Sequence, residues 1–199
     1  GSVHPGLWRQ AKLNSLHGLY KVTDGIYQLR GYDLAVMSII ESKNGWIVVD
    51  PLTSRETATR AMAFARKHLG NKPVVAIIFT HSHVDHFGGA LAIASPEEVA
   101  SGKVKVIAPA GFMEEATSEN ILAGPAMGRR AIYMYGRDLP RSPRGKVDNG
   151  LGKEPAMGTI GILRPTELVD RTPLAMNLDG VEFVFQYTPG SEAPAEMTF

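Results

Sequence analysis

Pro73-Val74-Val75-Ala76-Ile77-Ile78-Phe79-Thr80-His81-Ser82-His83-Val84-Asp85-His86-Phe87-Gly88-Gly89 decides the fold. Its first seven residues are a continuous apolar run. Such a run reads as a strand buried on both faces, as in a sheet covered by other layers. Three histidines and an aspartate then fall within six residues, directly at the strand's C-terminal end, where α/β proteins place their sites. His81 and His83 are two apart, so an extended backbone points both imidazoles to one side. The chain then turns and brings Asp85 and His86 to a second position close by. Imidazole and carboxylate together suit zinc, iron or manganese, with zinc the commonest. Two ions about 3.5–4 Å apart can share a bridging hydroxide and clamp a leaving anion. A plain surface histidine cluster is the bland alternative, and the density of the motif argues against it. A helix is expected to begin near Gly88-Gly89.

Working outward, Tyr20 to Arg30 alternates apolar and polar residues around Asp24-Gly25 and predicts a β-hairpin. Leu34 to Glu41 and Trp46 to Asp50 predict two strands joined at Lys43-Asn44-Gly45. Thr53 and Glu56 have the spacing of a capping box. They precede a helix whose Ala58, Ala61, Met62, Ala65 and Leu69 repeat at helical spacing, with Gly70 as its C-terminal stop. Beyond the motif, Val104 to Ala108 predicts a strand, and Phe112 to Leu122 and Pro125 to Tyr135 predict helices. Leu139 to Met157 predicts a long loop. Leu168-Val169, Leu174 to Leu178 and Val181 to Tyr187 predict strands, with Asp179-Gly180 as a turn. This order implies two sheet layers flanked by helices.

The chain has 199 residues, 44% hydrophobic and 21% charged, the balance of a globular domain or a large piece of one. No apolar run approaches the roughly 20 residues of a membrane span. Lys+Arg 21 against Asp+Glu 20 gives a net charge of +1, which does not suggest a nucleic-acid partner. Arg129, Arg130, Arg137, Arg141 and Arg144, interleaved with Tyr133 and Tyr135, read as a solvated face rather than an RNA surface. With Cys 0, any metal must rest on His, Asp and Glu. Met113, Met127, Met134 and Met157 read as core filler, with an apolar channel as the alternative. Val3 to Leu19 reads as an arm or short helix. Gly1-Ser2 reads as a cloning scar, and any removed signal peptide would leave no trace. Ala195 to Phe199 is strand-like and apolar, which predicts that the chain has been cut inside a larger domain.

The motif resembles the His-x-His-x-Asp-His signature of the metallo-β-lactamase superfamily, and the hairpin, strand, capped helix and buried strand before it agree. The resemblance implies an αββα sandwich, an α/β fold, with the metal site at one edge. It implies that His81 and His83 hold one metal and that Asp85 and His86 hold the other. Asp50 matches an aspartate that buttresses the metal loop; its other reading is a turn-capping residue after a strand. Leu7 to Gln10, Gly31 to Leu34, Trp46 to Leu52 and Thr188-Pro189-Gly190-Ser191-Glu192-Ala193-Pro194 look like the alkylsulfatase branch. In that branch the glutamate is a metal ligand, which would make Glu192 one here; an exposed loop glutamate is the alternative.

The resemblance further implies two zinc ions per complete site and hydrolysis of alkyl sulfate esters by a metal-activated hydroxide, with attack at carbon or at sulfur both open. It suggests a periplasmic or secreted homodimer acting on a small molecule. The branch pattern also needs a further carboxylate and histidine downstream of Glu192, and an arginine and histidine for the sulfate. Only Glu196 follows, and it reads as a strand start. Residues 1–19 are therefore expected to form an arm and 20–199 the N-terminal portion of an incomplete catalytic domain, weakly active or inactive alone. A lactonase, a glyoxalase-like thioesterase and an inactive metal-binding fragment are the competing readings.

Overall fold

The computed structural model describes residues 2–199. Strands β1 (Gly18–Thr23), β2 (Ile26–Arg30), β3 (Met37–Glu41) and β4 (Trp46–Val49) form an antiparallel meander. From β4 the sheet continues in parallel through β5 (Val74–Ile78), β6 (Lys105–Pro109) and β7 (Glu167–Val169). The seven strands thus lie in sequence order. Strands β8 (Leu174–Leu178), β9 (Val181–Tyr187) and β10 (Met197–Thr198) form a second, antiparallel sheet in the order β10-β9-β8.

The continuous apolar runs are explained by two cores, one on each face of the larger sheet. Trp46, Val48, Ile77, Phe79, Val106 and Ala108 face one core, where helix α2 (Arg55–Leu69) supplies Ala58, Ala61, Met62 and Ala65. Their neighbours Ile47, Val49, Ala76, Ile78, Ile107 and Val169 face the other, against Leu178, Phe183, Phe185 and Met197 of the second sheet. Each fully buried large side chain contributes about 1.5–3 kcal/mol. The exposed face of the second sheet alternates with its buried one: Glu182, Val184 and Gln186 are exposed where Phe183 and Phe185 are buried.

Several local expectations are revised. The side chain that caps α2 is Ser54, which accepts the Thr57 N–H at 3.2 Å, and not Thr53. Thr53 instead bonds the buried carboxylate of Asp33, and Glu56 accepts Thr159 N–H and Oγ1–H, tying down the long loop. Leu34 to Val36 lies outside β3, in a bent segment where the Leu34 N–H bonds the Asp33 carboxylate at 2.8 Å. The helix after the motif begins inside it, at α3 (Val84–Phe87), with a single 3₁₀ turn at Ala90–Ala92 beyond the glycines. A further helix, α4 (Pro96–Ala100), carries the capping box Ser95/Glu98. The predicted Phe112–Leu122 helix is α5 (Phe112–Thr117) followed by a π-turn, Ser118–Leu122, and α6 spans Gly124–Tyr135. Met127, Met134 and Met157 are exposed rather than core. At the N-terminal end, Pro5–Asn14 forms helix α1, with no buried residue.

Candidate metal centre

The motif is held from beneath by aromatic packing. Phe79, the last residue of the buried run, stacks on Phe112 at 5.1 Å between ring centroids, and Phe87 meets both rings. From the front it is held by the loop after β4. Asp50 and Leu52 adopt left-handed backbone conformations, φ 53° and 66°. Aspartate tolerates that region better than leucine, whose strain is offset by complete burial. Gly88 and Gly89 fit flush against this loop. A Cβ on Gly88 would lie 2.1 Å from the Thr53 carbonyl oxygen, and one on Gly89 2.2 Å from that of Pro51. No side chain fits in either place.

Asp50 organises the histidines. Its carboxylate accepts the Thr80 N–H at 2.9 Å, the Thr80 hydroxyl at 2.7 Å and His86 Nδ1–H at 2.8 Å. Because the Thr80 hydroxyl gives its proton to Asp50, it can only accept from His81 Nδ1, 3.0 Å away. One buried carboxylate therefore holds a proton on Nδ1 of both His81 and His86 and turns both Nε2 atoms outward. Such outer partners commonly fix the tautomer of metal-ligating histidines.

Three ligand atoms converge. His81 Nε2 lies 3.1 Å from His83 Nδ1, and Glu192 Oε1 lies 3.9 Å from the first and 3.8 Å from the second. Donor atoms on a tetrahedral zinc, with Zn–N near 2.0–2.1 Å, stand about 3.3 Å apart. The donor set suits a borderline divalent ion; the His81–His83 spacing is close to that value, and Glu192 at 3.8 and 3.9 Å stands farther out and would have to move in to complete the triangle. His81 is buried, whereas the Glu192 side chain is 66% exposed and closes the triangle from the solvent side. Asp85 Oδ2 and His86 Nε2 meet 3.4 Å apart and form a second pair, with the His81 and His86 rings 4.0 Å apart.

The carboxylates of the site act directly on its histidines. Burial alone would lower the His86 pKa, but its bonds to Asp50 and Asp85 outweigh this and push it up to about 10. His81 moves the other way, lowered by burial and by the neighbouring His86. Asp85 is buried, which opposes ionisation, yet His86 holds its carboxyl below the usual range.

Three contributors were not foreseen in these roles. Thr80 relays the influence of Asp50 to His81. Glu196, which precedes β10 and bridges to the His81 backbone, accepts the N–H groups of Glu192 at 2.5 Å and Ala193 at 2.9 Å. It thereby fixes the loop that carries Glu192. Glu119, on the π-turn, lies 3.7 Å from His83 Nε2. Thr80 and Glu196 are near motif residues in sequence and could have been weighed as supports; Glu119 has no local signal.

The fold is that of a metallo-β-lactamase domain. The sequence profile described as "Metallo-beta-lactamase superfamily" matches residues 31–175, and the chain belongs to that superfamily. Within it, the chain is 49% identical over its whole length to a linear primary-alkylsulfatase of Pseudomonas sp, covering 29% of that protein. It is 48% identical over 98% of its length to the alkyl/aryl-sulfatase BDS1 of Saccharomyces cerevisiae, covering 30% of it. The solved structure of a stereoselective inverting sec-alkylsulfatase from Pseudomonas sp. superposes with a TM-score of 0.94 at 48% identity, over 98% of this chain and 31% of that one. The chain thus spans about 30% of the length of these relatives.

Proposed function

We propose that this chain carries the front half of the active site of an enzyme that hydrolyses alkyl sulfate esters with two zinc ions. His81, His83 and Glu192 would hold the first ion, and Asp85 and His86 would contribute to the second. The observation that carries the reading is the meeting of Glu192 with His81 and His83, in a chain 48–49% identical to alkylsulfatases. When bound, the ions supply Lewis acidity, which offsets the charge of a sulfate ester and lowers the pKa of water.

The chain's own residues supply order. Asp50 and Thr80 hold His81 and His86 in the ligating tautomer. Phe79, Phe87 and Phe112 keep the motif from shifting, and Gly88 and Gly89 let it abut the Asp50 loop. Asp85 and His86 give the second position only two ligands, so the 199 residues alone turn over slowly or not at all.

The test is a zinc-loaded assay of the longest available form on a long-chain alkyl sulfate, an alkyl thioester and a lactone. Turnover of the sulfate ester is expected; preference for thioester or lactone overturns the reading. The relative described as inverting must attack carbon, because inversion at a sulfate-bearing carbon requires cleavage of its C–O bond. The same route here puts oxygen-18 from labelled water into the alcohol. Label in the sulfate would exclude it.

A further inference from the structure

We infer that Glu119 is a positioning residue for metal binding, acting through His83: its carboxylate receives the Nε2–H of His83 and so commits the Nδ1 lone pair to the ion. The inference rests on the metal reading above and extends it to a residue outside the motif.

Each of the three motif histidines has one nitrogen facing the ligand cluster and one facing away. For His81 and His86 the outer nitrogen is satisfied, directly or through Thr80, by Asp50. For His83 the outer nitrogen is Nε2, and the group facing it is Glu119 Oε1 at 3.7 Å. The 3.1 Å spacing of His81 Nε2 and His83 Nδ1 is that of two ligand atoms converging on one ion, so a neutral His83 that ligates through Nδ1 carries its proton on Nε2, toward Glu119. Closing 3.7 Å to the 2.7–2.9 Å of a charge-assisted bond takes about 0.8–1.0 Å of side-chain movement. Both side chains are partly exposed and free to make it.

The backbone around Glu119 is built to place it there. Phe112, at the start of α5, is buried in the aromatic stack beneath the motif. The helix then widens into the π-turn Ser118–Leu122, which Asn120 secures by donating Nδ2–H to the Ala116 carbonyl oxygen at 2.8 Å. Such turns re-aim side chains and occur often at functional sites.

The test compares wild-type protein with Glu119→Ala and Glu119→Gln, using Co²⁺ as the probe and its visible absorption as the readout. Glu119→Ala is expected to bind Co²⁺ about 10–100-fold more weakly, the usual cost of removing an outer partner. Glu119→Gln keeps an acceptor oxygen but not the charge and is expected to bind about five-fold more weakly than wild type, clearly tighter than Glu119→Ala. In the zinc-loaded protein, nitrogen-15 spectra of the imidazoles should show the His83 proton on Nε2 in wild type and Glu119→Gln. Its loss by exchange is expected in Glu119→Ala. Unchanged Co²⁺ affinity in Glu119→Ala, with its metal-free melting curve also unchanged, overturns the proposal. So does a Gln variant as weak as the Ala variant. Failure of the metal reading is a separate result: wild type would then bind Co²⁺ no better than His81→Ala.

Discussion

Replacing Asp50 by Asn separates two roles that the residue could fill. As a turn residue Asn is an adequate substitute, because it also tolerates a left-handed backbone. As the group that sets two histidine tautomers it is a poor one. Asp50 is buried and acceptor-only, and it takes three protons, from Thr80 N–H, the Thr80 hydroxyl and His86 Nδ1–H. The Asn amide retains one acceptor oxygen. If that oxygen keeps Thr80 N–H, the NH₂ group faces the Thr80 hydroxyl and His86 Nδ1. His86 must then accept there and carry its proton on Nε2, the wrong side for a ligand, and Thr80 no longer has to accept from His81.

Two charge-assisted bonds are lost, each worth about 1.5–3 kcal/mol, with part recovered by the new amide contacts. A stability loss of about 2–4 kcal/mol is expected from such a buried network change. For a chain of this size that lowers Tm by about 5–15 °C, at about 2–4 °C per kcal/mol. Zinc affinity should fall about 10–100-fold, or about 1.4–2.8 kcal/mol. Urea melts of the metal-free protein and competition with a chromophoric chelator measure the two numbers independently. A folded Asp50→Asn protein with wild-type zinc affinity would refute the tautomer argument and leave Asp50 a turn residue.

Three further outcomes follow from the geometry. Gly89→Ala drives a methyl group into the Pro51 carbonyl oxygen and Ala58, and should cost about 3 kcal/mol or more in a urea melt. A loss under 1 kcal/mol would mean that the loop yields freely. Glu196→Ala removes the acceptor for two N–H groups of the Glu192 loop and should weaken zinc binding several-fold, while Glu196→Gln loses less; equal affinities in all three proteins would contradict it. Asp179, on the β8–β9 turn, is held below the usual carboxylate range by Asn44 N–H, the Ser42 hydroxyl and the Asn44 amide. Its contribution is therefore present above its unfolded pKa and lost as pH falls through the lower folded value. The stability gap between wild type and Asp179→Ala should be constant near pH 7 and shrink below pH 4; a gap unchanged at pH 2.5 would disprove the linkage.

Much of the architecture was legible in the sequence because the signals were local and strong. The apolar run at residues 73–79 announced a strand buried on both faces, and the two cores show why no alternation is visible in it. Asp24-Gly25, Asn44-Gly45 and Asp179-Gly180 marked turns by their backbone preferences. The errors arose where tertiary partners compete with local ones. Thr53 and Glu56 matched a capping box, but Asp33 and Thr159 offered them better partners, and Ser54 took the cap. At the candidate centre the motif residues and Glu192 were nameable, the latter by resemblance alone. Glu119 was not, since its approach to His83 depends on where a π-turn aims it, which no residue spacing encodes.

The β10 edge has a consequence for how the two sheets hold together. The Met197 N–H donates to the Thr80 carbonyl oxygen at 2.9 Å, and His81 bridges to Glu196, so the second sheet is stitched to the motif by backbone alone. An ion shared by His81, His83 and Glu192 would add a clasp across a chain loop running from residue 81 to residue 192. A covalent link closing a loop of about 100 residues removes about 4.7 kcal/mol of unfolded-chain entropy, and a metal clip acts on the same quantity. Chelation would then remove that clasp while the buried side chains between the sheets still hold them together, and amide hydrogen exchange in β9 and β10 should rise before that in β5.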